Sequence, residues 1–152
     1  MNRKEMFRVL AGAFAAVPLL MTGARGATPS AKHRIAMQVD VNDAATMNLA
    51  LNNTKNIVDY YAQRNETAAI EIVTYGPGLH MLRADTSPVK ERLQAMAASL
   101  PQLRFSACDN TRRNMQKTEG KDIPLLPEAV VVPAGVVRLA ELQEQHWSYI
   151  RP

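Results

Sequence analysis

The sequence predicts an α/β protein, an open and mostly parallel sheet with helices on both faces. Two observations carry this reading. Short apolar or β-branched runs alternate with segments whose apolar residues recur every three or four positions. The order is strand then helix, repeated along the chain and closed by a short final strand, which is the pattern of a wound parallel sheet.

Taken in order, Ile35 to Val39 alternates apolar and polar residues, and Asp40-Val41-Asn42-Asp43 ends that strand. Met47, Leu51, Thr54, Val58 and Tyr61, widened by Ala50 and Ile57, form a helical stripe with Asn42 or Asp43 as its N-cap. Ala69 to Tyr75 is rich in β-branched residues and reads as the second strand. Gly76-Pro77-Gly78 closes it, and a helical turn through Leu79, Met81 and Leu82 follows. Ser87 is placed to cap a further helix with Pro88 at its first position. Leu93, Met96, Ala97 and Leu100 are its buried stripe, and Pro101 stops it. Leu103 to Cys108 is the third strand, and Asp109-Asn110-Thr111 offers caps for a helix carrying Arg112 and Arg113. Thr118 to Asp122 reads as a polar loop. Ala129 to Val132 is wholly apolar, as expected of a strand covered on both faces. Pro133-Ala134-Gly135 turns into a last helix with Val136, Leu139 and Leu142 facing inward, and Trp147 to Ile150 supplies a final short strand.

Residues 1–26 read as a secretory signal. Arg3, Lys4 and Arg8 make a basic start, and Val9 to Met21 is apolar but short of the roughly 20 residues that span a bilayer. Ala24 and Gly26 are the small residues of a cleavage site after Gly26. Arg3-Lys4 is a weak match to a twin-arginine pair, so the general secretory route fits better. Residues 27–34 form a flexible lead-in and 35–152 a single domain in the periplasm or outside the cell.

The chain has 18 basic and 14 acidic residues. Removing four basic side chains and one acidic side chain with the signal leaves 14 against 13, interspersed in sign. That balance offers no electrostatic footprint for nucleic acid. No other apolar run reaches membrane length, so no stable membrane insertion is expected. His33, His80 and His146 lie far apart beside a single cysteine, which argues against a metal site. No cofactor signature is present: Gly76-Pro77-Gly78 matches neither a dinucleotide nor a phosphate loop, and G-x-S-x-G is absent.

In wound sheets, ligands sit beyond the carboxyl ends of the strands, near the switch point in strand order. Asp40, Tyr75-Gly76, Cys108 and Pro133-Gly135 are those ends here, and Gly78, His80 and Asn110 flank them. Cys108 is the leading candidate. It precedes a helix start, where unpaired N–H groups favour a thiolate, and Arg112 and Arg113 follow one turn on, with Asp109 opposing. A small apolar side chain tucked under the helix is the alternative reading. His80 could act on a thiol from the same edge. Asn52, Asn53 and Asn56 could hydrogen-bond to that edge or across a subunit interface, which Trp147 and Tyr149 could also anchor.

Five stretches carry a resemblance. They are Ala50-Leu51-Asn52-Asn53-Thr54-Lys55-Asn56, Val73-Thr74-Tyr75-Gly76-Pro77-Gly78, Arg104-Phe105-Ser106-Ala107-Cys108-Asp109-Asn110-Thr111, Val132-Pro133-Ala134-Gly135-Val136 and Glu141-Leu142-Gln143. In that order and spacing the chain resembles the DsrE/DsrF-like sulfur-relay family, including its exported branch. The resemblance implies a three-layer α/β sandwich of the YchN-like type, assembled as a homotrimer or hexamer. It also implies sulfur handling, with Cys108 as a persulfide carrier between sulfur donor and acceptor proteins, in the manner of a sulfurtransferase. The relay members work in the cytoplasm, whereas residues 1–26 here read as an export signal. A non-catalytic oligomeric binding or assembly module with a structural Cys108, and a small hydrolase or isomerase using Asp40 and His80, are the competing classes.

Overall fold

A computed structural model describes residues 31–152. The signal segment 1–26 and the first part of the lead-in lie outside the described residues. Five strands form one sheet: β1 His33–Val39, β2 Ala68–Thr74, β3 Leu103–Cys108, β4 Ala129–Val132 and β5 Ser148–Ile150. Four α-helices connect them: α1 Ala44–Ala62, α2 Lys90–Ser99, α3 Asp109–Glu119 and α4 Gly135–Glu144. A 3-10 helix, Gly76–Leu82, precedes α2. The strand order is β4-β3-β2-β1-β5 and every pairing is parallel.

Period-two alternation sorts the strand residues onto two faces. Ile35, Met37, Val39, Ile70, Ile72, Leu103 and Phe105 pack with Met47 and Leu51 of α1, Leu93 of α2 and Leu79, Met81 and Leu82 of the 3-10 helix. Met115 of α3 packs on the same cluster. On the opposite face, Ala36 and Val73 meet Leu139 and Leu142 of α4. The result is a three-layer sandwich with α4 alone on one side. The first three crossovers step along the sheet in one direction, and α4 carries the chain back over the other face to set β5 beside β1.

Several boundaries differ from the sequence expectation for physical reasons. β1 starts at His33, whose N–H donates to Thr67 O, so His33 and Arg34 belong to the sheet and not to the lead-in. Asp43 caps α1, its Oδ2 accepting from Thr46 N at 2.7 Å. Ser87 does not cap α2. Its hydroxyl donates to Met81 O at 2.7 Å, and the helix begins at Lys90 without a side-chain cap. Thr118 and Glu119 are the last residues of α3, which ends at Gly120 in the left-handed region. β4 is an edge strand and not a covered one, with Val130 and Val131 43% and 47% exposed. Val136 faces solvent at 63% exposure, so the inward stripe of α4 is Leu139 and Leu142. Among the described residues no helix is long and apolar enough to cross a membrane.

Candidate functional site

The strand ends meet where the connections diverge. β3 hands over to α3 on one face and β4 hands over to α4 on the other, which opens a crevice between their carboxyl ends. Cys108 stands in that crevice as the last residue of β3 and the N-cap of α3, at φ −68° and ψ 113°. The capping residue is therefore the cysteine itself, in place of Asp109, Asn110 or Thr111. Its Sγ accepts from Thr111 N at 3.4 Å. The backbone N–H groups of Asn110 and Gly135 and the hydroxyl of Thr111 lie near enough to the same sulfur to favour its charged form. Asn110 N also donates to Pro133 O at 3.2 Å, which ties the start of α3 to the turn before α4.

Cys108 is 4% exposed. Burial is the largest influence on its thiol and pushes its pKa up. The Thr111 hydroxyl and the N–H groups of Gly135, Thr111 and Asn110 together outweigh burial, and the net direction is downward. The first turns of two helices supply those N–H groups, a setting that favours negative charge. Arg112 and Arg113 do not contribute. Arg112 binds Ile123 O and Asp122, and Arg113 pairs with Asp109 at 2.7 Å.

Two glycines make the crevice this tight. A Cβ on Gly135 would lie 2.9 Å from Tyr75 Cβ and 3.3 Å from Cys108 Cβ, so only glycine lets that N–H close on the sulfur. A Cβ on Gly78 would lie 2.2 Å from Val39 O, so the 3-10 helix packs directly on the end of β1. Gly76 turns the chain at φ +51°, and its N–H donates to Thr111 Oγ1 at 2.9 Å.

The edge brings Tyr75, Gly76, Asn110 and Gly135 to Cys108 or to its immediate partners. Asp40 and His80 are engaged elsewhere. Asp40 pairs with Arg151 at 3.0 Å, and His80 Nδ1 meets Thr86 Oγ1 at 2.7 Å, so they form no carboxylate–imidazole pair. Burial, then the Arg83 charge, lowers the His80 pKa, and burial, then the Asp40 charge, raises that of Tyr75. Asn52 faces away from the edge and, with Asn48, holds Arg92 of α2. Among the described residues no group of three or more His, Cys, Asp or Glu converges on one point.

Thr111 is the site residue that sequence reasoning missed. Seen as a helix cap, it gave no reason to be linked to sulfur. With Cys108 at the N-cap, Thr111 is the third helical residue, the position whose side chain reaches back to the cap. Its Oγ1 accepts from Gly76 N and its N–H donates to Cys108, so Thr111 links the turn after β2 to the sulfur.

Two grooves flank the crevice. One of about 380 Å³ runs between the 3-10 helix and α3 and is lined in part by Gly76, His80, Thr111, Asn114 and Glu119. The other, about 280 Å³, lies beside β4 and α4. It borders Arg138, which binds the buried Glu71 through two hydrogen bonds of 2.7 Å.

The chain is similar to the solved structure of MTH1491 from Methanobacterium thermoautotrophicum, a protein of unknown function. Identity is 30% and the TM-score 0.67, over 79% of this chain and 99% of that one. No protein-family model and no curated protein matches the chain.

Proposed function

The chain belongs to the family of MTH1491 from Methanobacterium thermoautotrophicum, and within that fold we propose that it is an exported sulfur carrier holding a persulfide on Cys108. The observation that carries this reading is one buried sulfur set as the N-cap of α3 and accepting from Thr111 N, with the starts of two helices beside it favouring its charged form. This setting stabilises a thiolate, and the thiolate is the nucleophile of sulfur exchange. In the loading step, Cys108 Sγ attacks the outer sulfur of a donor persulfide, R–S–SH. A new S–S bond forms on Cys108, the donor S–S bond breaks, and its electron pair leaves on R–S⁻. An acceptor thiolate then takes the outer sulfur by the same exchange and returns Cys108 as thiolate. The likeness of the Arg104–Thr111 and Val132–Val136 stretches to sulfur-relay proteins supports the same chemistry, and residues 1–26 support export.

Intact mass spectrometry of the protein from its own host, before and after mild reduction, tests this. The expected result is one added sulfur on Cys108 that reduction removes, on a chain beginning at Ala27. A bare thiol in every preparation, slow to alkylate at neutral pH, would sink the carrier reading. It would favour a second reading, an assembly module with a structural cysteine. The 4% exposure of Cys108 and the exposed valines of β4 and α4 favour that alternative.

A further inference from the structure

Resting on the sulfur-carrier reading for the use of the thiol, we propose that the buried Glu71–Arg138 pair positions the sulfur site, fixing the first turn of α4 so that Gly135 stays against Cys108. Pairing of β3 with β4 sets Cys108 opposite Val132 and so delivers the Pro133–Gly135 turn to the sulfur. Pairing alone does not set how α4 is turned about its axis. The fit leaves little play, since a Cβ on Gly135 would lie 2.9 Å from Tyr75 Cβ and 3.3 Å from Cys108 Cβ. Arg138 is one turn on from Gly135, and its N–H donates to Ala134 O at 3.0 Å, so its guanidinium moves with that turn. Its Nε and Nη2 donate to the two oxygens of Glu71, each at 2.7 Å. Two parallel bonds between planar groups set angle as well as distance.

The other end of the pair is built into the strand that carries the cysteine. Glu71 Oε1 also accepts from Ser106 Oγ at 2.6 Å, and Ser106 lies two residues before Cys108 on the same face of β3. The contacts therefore form a closed circuit: Cys108 and Ser106 on β3, Glu71 on β2, Arg138 and Gly135 on α4, and back to the cysteine. Burying a charge pair costs desolvation, and Leu139 and Leu142 already hold α4 by apolar contact. What apolar contact lacks is direction, and the ion pair supplies it. Two other charges reach the pair: Arg104 Nε is 3.9 Å from Glu71 Oε1, and Glu141 Oε2 is 3.7 Å from Arg138 Nη1. Asp109, beside the sulfur in sequence, is paired with Arg113. Without the pair, α4 is free to turn, and the Gly135 N–H that favours the charged thiol withdraws.

The test titrates Cys108 in the full chain by the ultraviolet absorbance of its thiolate, each variant read against the same chain carrying Cys108→Ser. Glu71→Leu with Arg138→Leu removes both charges and keeps apolar bulk. The expected result is a folded protein whose thiol has an acid dissociation constant about fivefold lower. Arg138→Lys keeps the charge but loses the two-pronged fit, and should lower the constant by a similar factor. Leu142→Val loosens α4 without touching the pair, and should lower the urea midpoint while leaving the titration unchanged. An unmoved titration in the double variant, or in Arg138→Lys where the double variant does not fold, overturns the proposal. So does a shift in Leu142→Val equal to theirs. Persulfide on Cys108 is read separately by intact mass. Its absence beside the expected titration shifts sinks the carrier reading and leaves the positioning role standing, and its presence beside an unmoved titration does the reverse.

Discussion

At Cys108 the bond from Thr111 N is joined by nearby polar groups that favour the thiolate, and the hydroxyl of Thr111 is the one that can be removed without touching the backbone. Thr111→Val keeps the side chain's shape and deletes the hydroxyl that favours the thiolate. The thiol then titrates higher, and iodoacetamide labelling at pH 7 slows several-fold. Above about pH 10, where either thiol is ionised, the two rates converge. Thr111→Ser restores the neutral rate, which separates a hydrogen-bonding role from a packing one. Cys108 itself was legible in the sequence, as the last residue of a strand before a helix. Asn110 and Gly135 were legible as neighbours on that edge, and the pairing of Cys108 with Val132 sets Gly135 beside the sulfur. The part played by Thr111 was not, because spacing alone does not show that the cysteine itself is the cap. The two arginines that spacing placed nearby follow their own shorter contacts, to Asp109, Asp122 and Ile123.

Among the elements, α4 stands out as the one helix on its face, anchored by a buried carboxylate. Glu71 is 2% exposed, accepts from Ser106 Oγ at 2.6 Å and is held by Arg138. Burial pushes the Glu71 pKa up, but Arg138, Ser106 and the more distant Arg104 reverse that and keep it below the usual value. Arg138→Leu would strand the charge in the sheet at a cost of roughly 3–5 kcal/mol, read as a lower urea midpoint at pH 7. The double change Glu71→Leu with Arg138→Leu should recover most of it. A second clamp joins the loop after the 3-10 helix to α3, where buried Arg83 binds Asp85 and Glu119. Arg83 is the leading cause of the lowered pKa of each carboxyl. Groups depressed on folding stabilise above the ordinary carboxylate range, and that contribution is lost as pH falls below about 4. Glu119→Gln should therefore melt lower at pH 7, with the gap to the unmodified protein closing toward pH 3. β3 was legible to the residue because both its ends are marked, by Pro101 before it and by the capping run after it. The start of α2 was misjudged because Ser87 turns its hydroxyl back to Met81.

For the molecule as a whole, apolar composition marked β4 as a strand but could not tell an edge from an interior one, since both read as valine. Val130, Val131, Val136 and Val137 are all more than two-fifths exposed, along β4 and the first turn of α4. An exposed, apolar sheet edge calls for cover. The resemblance to the sulfur-relay family implies a homotrimer or hexamer; if that edge is the interface, the pair Val131→Lys and Val137→Glu should shift sedimentation toward monomer. A monomer at every concentration would remove the assembly expectation. The route of α4 has a last consequence, for the order of events in folding. Asn110 and Thr111 lie within three residues of Cys108, whereas Gly135 comes from 27 positions along the chain, placed by the pairing of β4 on β3 and held there by α4. Contacts of that separation close late. The thiol is therefore a built-in clock: in a refolding reaction pulsed with an alkylating reagent at neutral pH, its labelling rate should step to the native value only in the final phase, together with the signal from Trp147 at the far end of the same crossover.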